Sequence, residues 1–245
     1  MPIEMPLGAP IMLHGCFALD DGRTTPLLPD GKQHYNESDF QWNKALIDGP
    51  CARSYSMLVD RCRQLVRSDE LDLKMYFHLL ELKDHSSNQA SKTLRDMMRM
   101  ALWKQLVTSE LAFLPVVSTQ RSSDWDWVPH SATTLLRSPR LSSRVQDELV
   151  HDGLQLVHLP EPLREAMQQA ATSLTVAHAA PITAADVCRF LRDEYQHCTQ
   201  PLRALDSKEH VLALLRFVVP SAATARPPPA LDLSFLRGVP LILRS

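Results

Sequence analysis

The sequence predicts an α+β protein that is predominantly helical, with a few short strands. Three observations lead there: apolar residues recur at helical spacing through most of the chain, the apolar runs that break this spacing are short, and turn-forming residues bound those runs. The length of 245 residues, with 44% hydrophobic and 22% charged, is enough for one large or two modest cores.

Near the start, Ile11-Met12-Leu13 and Phe17-Ala18-Leu19 flank His14-Gly15-Cys16, and the cluster Asp20-Asp21-Gly22-Arg23 follows. This reads as a strand running into a turn. Residues Thr24 to Glu37 hold Pro26, Pro29, Gly31 and Asn36 without periodicity and read as a loop. Ser38-Asp39 offers an N-cap for a helix carrying Trp42 and Leu46. Gly49-Pro50 interrupts it before a stripe of Tyr55, Leu58, Val59, Cys62, Leu65 and Val66, so the segment is one kinked helix or two in succession. A short amphipathic helix is expected around Leu71 to Leu82. A longer one carries Leu94, Met97, Met98, Ala101, Leu102 and Leu106 inward, with Lys92, Arg95 and Arg99 outward.

Leu111 to Val117 is an apolar run too short for a typical helix, and Pro115 restricts it to an edge strand or a bulge. Trp125 and Trp127 alternate with Asp124 and Asp126, which is strand spacing. Ser143 to Val150 suggests a short helix ended by Gly153, and Leu154 to Leu159 a brief strand. Pro160-Glu161-Pro162 starts a helix with Leu163, Met167 and Ala170 on one face. Thr183-Ala184-Ala185-Asp186 has the form of a capping box, with Asp in place of Glu or Gln, for a helix presenting Val187, Phe190, Leu191 and Tyr195. A last helix spans about Ser207 to Val219, Ala222 to Ala230 is linker-like with its three consecutive prolines, and Gly238 to Leu243 starts a further strand. The expected divisions are 1–138 (strand, loop, helices and short strands), a helical 139–219, and 220–245 as linker and strand.

Composition excludes several function classes. A net charge of −2 leaves no basic surface to release counterions from a nucleic acid, so no nucleic-acid partner is expected. The apolar run Val211 to Val219 is short and broken by Arg216, and Met1 to Met5 lacks the basic and apolar regions of a secretory signal. No membrane partner is expected, and a cytoplasmic location is, with the nucleus as the alternative. The five cysteines, Cys16, Cys51, Cys62, Cys188 and Cys198, are odd in number and widely spaced, which argues for reduced and mostly buried thiols. Seven glycines with no close neighbours offer no phosphate-cradling loop.

Taken in order, several motifs resemble the large internal repeat of the sacsin family, which is related to Hsp90. Gly8-Ala9-Pro10-Ile11-Met12-Leu13-His14-Gly15-Cys16-Phe17-Ala18-Leu19 is similar to that family's G-x-P-V-H-V-N-G-x-F-A-L strand. Trp42-Asn43-Lys44-Ala45-Leu46 followed by Ala52-Arg53-Ser54-Tyr55 is similar to its W-N-x-x-L…A-x-x-Y helix. Leu114-Pro115-Val116, Trp127-Val128, Asp152 to Pro160, Ile182-Thr183 and Leu236 to Leu241 resemble later landmarks, so the likeness covers nearly the whole chain. His14 departs from the pattern where the family has Asn, and Cys16 beside it differs too.

The resemblance implies segments downstream of an Hsp90-like ATP-binding domain, and therefore a non-catalytic, chaperone-related protein-binding module. It implies protein clients or co-chaperones as partners, with the Hsp70 system as a candidate, and no cofactor, metal or catalytic residue in this chain. Two other function classes stand beside it: a scaffold or truncated remnant without chaperone activity, and a small hydrolase or metal-dependent enzyme.

The residues available to an enzyme are few. His151-Asp152 and His158 can be drawn as an acid/base group, yet Asp152-Gly153 is a natural turn and no nucleophile elbow accompanies it. Cys188, His197 and Cys198 on one predicted helix are the best metal cluster, without the paired spacings of zinc sites. Among interaction candidates, Trp42 and Trp103 fit core stripes, while Trp125 or Trp127 is expected to be exposed. Met97, Met98 and Met100 suit an adaptable surface, although Met97 and Met98 also fit the core stripe. Arg95 and Arg99 read as a solvated face. Arg23 follows the first strand and could reach a phosphate held by a neighbouring domain, although a turn arginine is ordinarily solvated.

Overall fold

The computed structural model describes residues 15–19, 26–28, 37–82, 89–117, 125–131, 134–177, 179–197 and 207–218. They divide between two compact units that interleave along the chain. The first holds residues up to Phe113 with Val128–Ala132 and Pro160–His178, and the second holds Leu114–Trp127, Thr133–Leu159 and the residues from Ala179 onward. Residues 138 and 139 both lie in the second unit, and Pro160–His178 in the first.

In the first unit, α1 (Glu37–Leu46) runs into a π-helical turn (Ile47–Cys51) and then α2 (Ala52–Arg67). Leu46, Cys51 and Ala52 all keep right-handed helical dihedrals, so the Gly49-Pro50 interruption is absorbed without breaking the helix. Proline lacks an N–H and crowds the preceding turn, and a wider turn accommodates both defects. α3 (Leu73–Glu81) is capped by the Asp72 carboxylate, which accepts from the Lys74 N–H at 3.0 Å. α4 (Gln89–Thr108) packs against α2 on one side and α6 (Glu161–Ser173) on another.

The core of this unit contains Val59, Tyr76, Leu80, Met98, Leu102, Trp103, Leu106 and Met167. Ala166, Ala170 and Ala171 give α6 a small-residue face for close approach. Two buried tyrosines tie elements together: Tyr55 Oη donates to the Leu79 carbonyl at 2.6 Å and Tyr76 Oη to the Phe113 carbonyl at 2.8 Å. Burial raises both phenol pKa values, which keeps the donating proton in place. Leu58 departs from its expected core position and is exposed; the stripe of α2 that faces α4 narrows to Tyr55, Val59, Cys62 and Val66.

The second unit takes β1 (Leu114–Val117) and all of β2 (Trp125–Val128) but Val128; the two strands pair, and they form where the apolar run and the Trp alternation predict strands. β3 (Leu135–Leu136) pairs in parallel with β4 (Ala180–Pro181), and neither is evident from sequence at two residues each. The expected strand at Leu154 to Leu159 reduces to bridges from Val157 to Val116 and Leu136. α5 (Ser143–His151), α7 (Ala184–His197) and α8 (Lys208–Val218) complete the unit. Leu141, Val145, Leu149, Leu156, Ile182, Val187, Leu191 and Leu214 form its core. The capping box at α7 is present: the Thr183 N–H donates to Asp186 Oδ2 at 3.0 Å, and the Asp186 N–H donates to Thr183 Oγ1 at 3.3 Å. The expected terminal linker and strand lie outside the described residues.

Three helices end in the same Schellman arrangement with different residues at its left-handed position. After α5 that residue is Gly153 (φ 114°), after α2 Asp69 (φ 61°), and after α6 Thr175 (φ 55°). At α6 the Val176 N–H reaches the Ala171 carbonyl and the Thr175 N–H the Thr172 carbonyl, both at 3.1 Å. Thr175 is exposed and β-branched, so it contributes backbone strain and no burial. Thr175→Gly is therefore expected to stabilise the protein by about 0.5 kcal/mol, the relieved strain exceeding the added entropy of the unfolded chain. Urea unfolding would measure it, and a loss of stability would show that the threonine is not strained.

Candidate functional site

The most completely specified local structure lies where residues 15–19 and 26–28 meet α1. Asn43, fully buried on the inner side of α1, makes three hydrogen bonds to backbone. Its Oδ1 accepts from the Ala18 N–H at 2.7 Å, and its Nδ2 donates to the carbonyls of Ala18 at 2.7 Å and Leu27 at 3.0 Å. Leu27 N–H also donates to the Ala18 carbonyl at 3.0 Å, and Leu19 bridges Pro26 in antiparallel fashion. One carboxamide thus holds both arms of a short β-ribbon against a helix.

Beside it, Trp42 is 52% exposed, and its indole N–H donates to the Cys16 carbonyl at 2.7 Å. This corrects the expectation of a core Trp42. The inner side of α1 is occupied by Asn43 and continues to Ile47, and Trp42 projects about 100° away from that line. Further large apolar side chains of the same unit reach solvent: Met57 (69%) and Leu58 on α2, Met75 (49%) on α3, and Leu174 at the end of α6. Cys16 is an exposed free thiol next to the ribbon, while Cys62 and Cys188 are buried free thiols. Burial raises the pKa of both buried thiols, with Arg192 opposing it at Cys188.

The other sequence candidates are dispersed. Trp103 is fully buried, against the edge of Phe113 with ring centroids 5.9 Å apart, as its stripe predicts. Trp125 and Trp127 are both half-buried, so neither is the open indole expected of the pair. Met98 is buried and Met97 and Met100 are half-buried. Arg95 is 2% exposed, which corrects its assignment to a solvated face: α6 covers the side of α4 that the charged residues mark. Arg99 is partly exposed and lies 3.4 Å from Asp96.

His151 is exposed at the end of α5 and Asp152 is that helix's C-cap. His158 is solvent-exposed at its edge, beside the Arg137–Asp147 ion pair of 2.6 Å. Partial desolvation and then the Arg137 guanidinium lower its pKa, with Asp147 opposing them. The Asp147 carboxylate that acts on it is already engaged by Arg137, which is poor preparation for general-base work. Cys188 is buried, while Cys198 and the side chain of His197 lie outside the described residues, as do His14 and Arg23. Among the described residues no group of three or more His, Cys, Asp or Glu side chains is placed to hold a metal ion, and no helix is long and apolar enough to cross a membrane.

Sequence reasoning missed the two buried carboxamides. In the sequence Asn43 stands out only as part of the Trp42-Asn43-Lys44-Ala45-Leu46 landmark. Gln146 on α5 accepts from the Ser138 N–H and donates to the Ser138 carbonyl, both at 2.9 Å, and to the Leu141 carbonyl at 2.7 Å. Each lies on the apolar face of its helix, one residue or one turn from core side chains, and an amide at such a position is a legible signal.

The structure belongs to the α+β class with helices dominant. No protein-family model, curated protein or solved structure matches the chain.

Proposed function

We propose that this chain is a non-catalytic protein-binding module of chaperone-related type, akin to the part of a sacsin-type repeat that lies downstream of its ATP-binding domain. The observation that carries this reading is the ribbon junction. The two most specific stretches of the resemblance, Gly15 to Leu19 and Trp42-Asn43, meet through three hydrogen bonds between Cys16, Ala18, Trp42 and Asn43. Two accidental matches 25 residues apart carry no requirement to touch. On this reading the partners are protein clients or co-chaperones, any ATP dependence resides in a separate domain, and the site of action is the cytoplasm.

The exposed apolar side chains of the first unit supply the chemistry for holding unfolded chains. Methionine and tryptophan adapt to varied partners at modest entropic cost, and both types are present at Trp42, Met57 and Met75. The purified chain is expected to suppress aggregation of a thermally unfolded test protein equally with and without ATP. The double variant Met57→Ser, Leu58→Ser should fold normally, because both side chains are exposed, and should lose most of that suppression. No suppression by a folded sample would favour a scaffold role, and ATP-dependent suppression with phosphate release would overturn the non-catalytic reading.

A further inference from the structure

α2 holds four arginines, Arg53, Arg61, Arg63 and Arg67, and a single carboxylate, Asp60. Arg63 takes that carboxylate: its Nε donates to Asp60 Oδ1 at 2.9 Å and a terminal nitrogen donates at 2.8 Å, while Gln64 donates to Oδ2 at 3.1 Å. Arg67 lies in the last turn, where a cation complements the helix dipole. Arg53 and Arg61 have neither role. Both are exposed, and neither forms an ion pair among the described residues; Arg61 donates to the side-chain carbonyl of Gln64 at 2.9 Å.

Midway between these two arginines sits Met57, at 69% the most exposed of the large apolar side chains described. Residues four apart share a helix face, so Arg53, Met57 and Arg61 form one stripe about 12 Å long. Exposed Leu58 and half-buried Leu65 lie along its flank, two turns apart from each other. The face is therefore apolar at its centre, with an unpaired cation one turn to each side. A surface shaped by solvation alone intersperses both signs of charge and keeps large apolar side chains few. A guanidinium presents five donors in a fork that matches a carboxylate.

We propose that this face of α2 docks an acidic amphipathic helix of another protein, its apolar side on Met57, Leu58 and Leu65 and two of its carboxylates on Arg53 and Arg61. The proposal rests on the protein-binding reading above and names the chemistry of one partner. Carboxylates two turns apart on a helix are about 10 Å from each other, close to the separation of the two arginines. Charge also decides between occupants. A second copy of the chain, docking the same face about a two-fold axis, would set arginine against arginine. Anionic membrane surfaces are held by clusters of about four to eight basic residues, and this stripe has two with a thioether between them.

The test is fluorescence anisotropy of a labelled, alanine-based helical peptide in which two glutamates, two turns apart, flank a pair of leucines, titrated with the full chain. Saturable binding with a dissociation constant of about 100 μM or tighter is expected. The same peptide with glutamine for glutamate should bind more weakly by about 3-fold or more, a modest factor because exposed ion pairs are screened. The double variant Arg53→Gln, Arg61→Gln changes only exposed side chains and should bind the two peptides alike. Met57→Ser with Leu58→Ser should lose saturation with both. No saturable binding of the glutamate peptide, equal affinity for the glutamine peptide, a glutamate preference that survives in the arginine variant, or stronger binding to phosphatidylserine vesicles would each overturn the assignment. Aggregation suppression by the wild-type chain separates this failure from that of the broader reading. Suppression with equal affinity for both peptides strikes the acidic preference alone, and loss of suppression together with peptide binding strikes both. Peptide binding without suppression upholds the docking face and places it on a scaffold.

Discussion

Replacing Trp103 by alanine is expected to destabilise the first unit by about 4 kcal/mol, the largest single loss among its core positions. The indole is fully buried among the side chains of α4's inner face and stacks edge-on against Phe113, so its removal leaves a large void and forfeits an aromatic pair. Trp103→Phe separates two contributions. The indole Nε1–H finds no acceptor among the described residues, and a buried donor without a partner costs about 1–3 kcal/mol. Phenylalanine removes that donor while keeping an aromatic ring, so its net cost should be about 1 kcal/mol or less. Urea unfolding of both variants measures the difference. A loss for Trp103→Phe close to that of Trp103→Ala would mean that the indole N–H is satisfied in solution.

Asn43→Ala comes second, with an expected loss of about 3 kcal/mol from three broken hydrogen bonds at a fully buried site. The Ala18 carbonyl keeps its bond from Leu27, but the Ala18 N–H and the Leu27 carbonyl lose the side-chain partner described here. Asn43→Asp should be no better, since an ionised carboxylate presents oxygen where the Ala18 and Leu27 carbonyls need a donor. Amide hydrogen exchange at Ala18 provides the local readout. Wild-type protection there in the alanine variant, with stability within about 0.5 kcal/mol, would show that the ribbon is held by other means.

Helices were legible in the sequence because their signals are local. The stripe on α4, the prolines at the start of α6 and the Thr183–Asp186 box each depend on residues within a turn or two of one another. The Gly49-Pro50 break was legible as a disturbance but not as a π-helical turn, since proline chemistry specifies a defect and packing decides how it is absorbed. β3 and β4 were not legible: two residues give no period, and Leu135 acquires its partner at Ala180 through tertiary structure. The same reason accounts for Trp42 and Arg95. Helical spacing shows which residues share a face, and only the neighbouring elements decide which face is covered. Much of the candidate site was hidden in this way. Asn43 was visible as a letter in a motif, while its role became visible only with Ala18 and Leu27 beside it.

Asn43 and Gln146 have a consequence for uniqueness as well as for stability. An apolar contact tolerates sliding, because one methyl group is much like another at the same distance. A carboxamide has a donor end and an acceptor end, and backbone N–H and C=O groups alternate along the segment it grips. Asn43 grips the N–H and the C=O of one residue, Ala18, so shifting the 15–19 arm by one residue would present a neighbour whose N–H and C=O point to the opposite edge and would leave the amide unpaired; Gln146 grips the N–H and C=O of Ser138 in the same way. In two short segments with little ladder of their own, a single side chain therefore reads the alignment of the chain and rejects its neighbours, so that each unit settles into one arrangement instead of several of nearly equal energy.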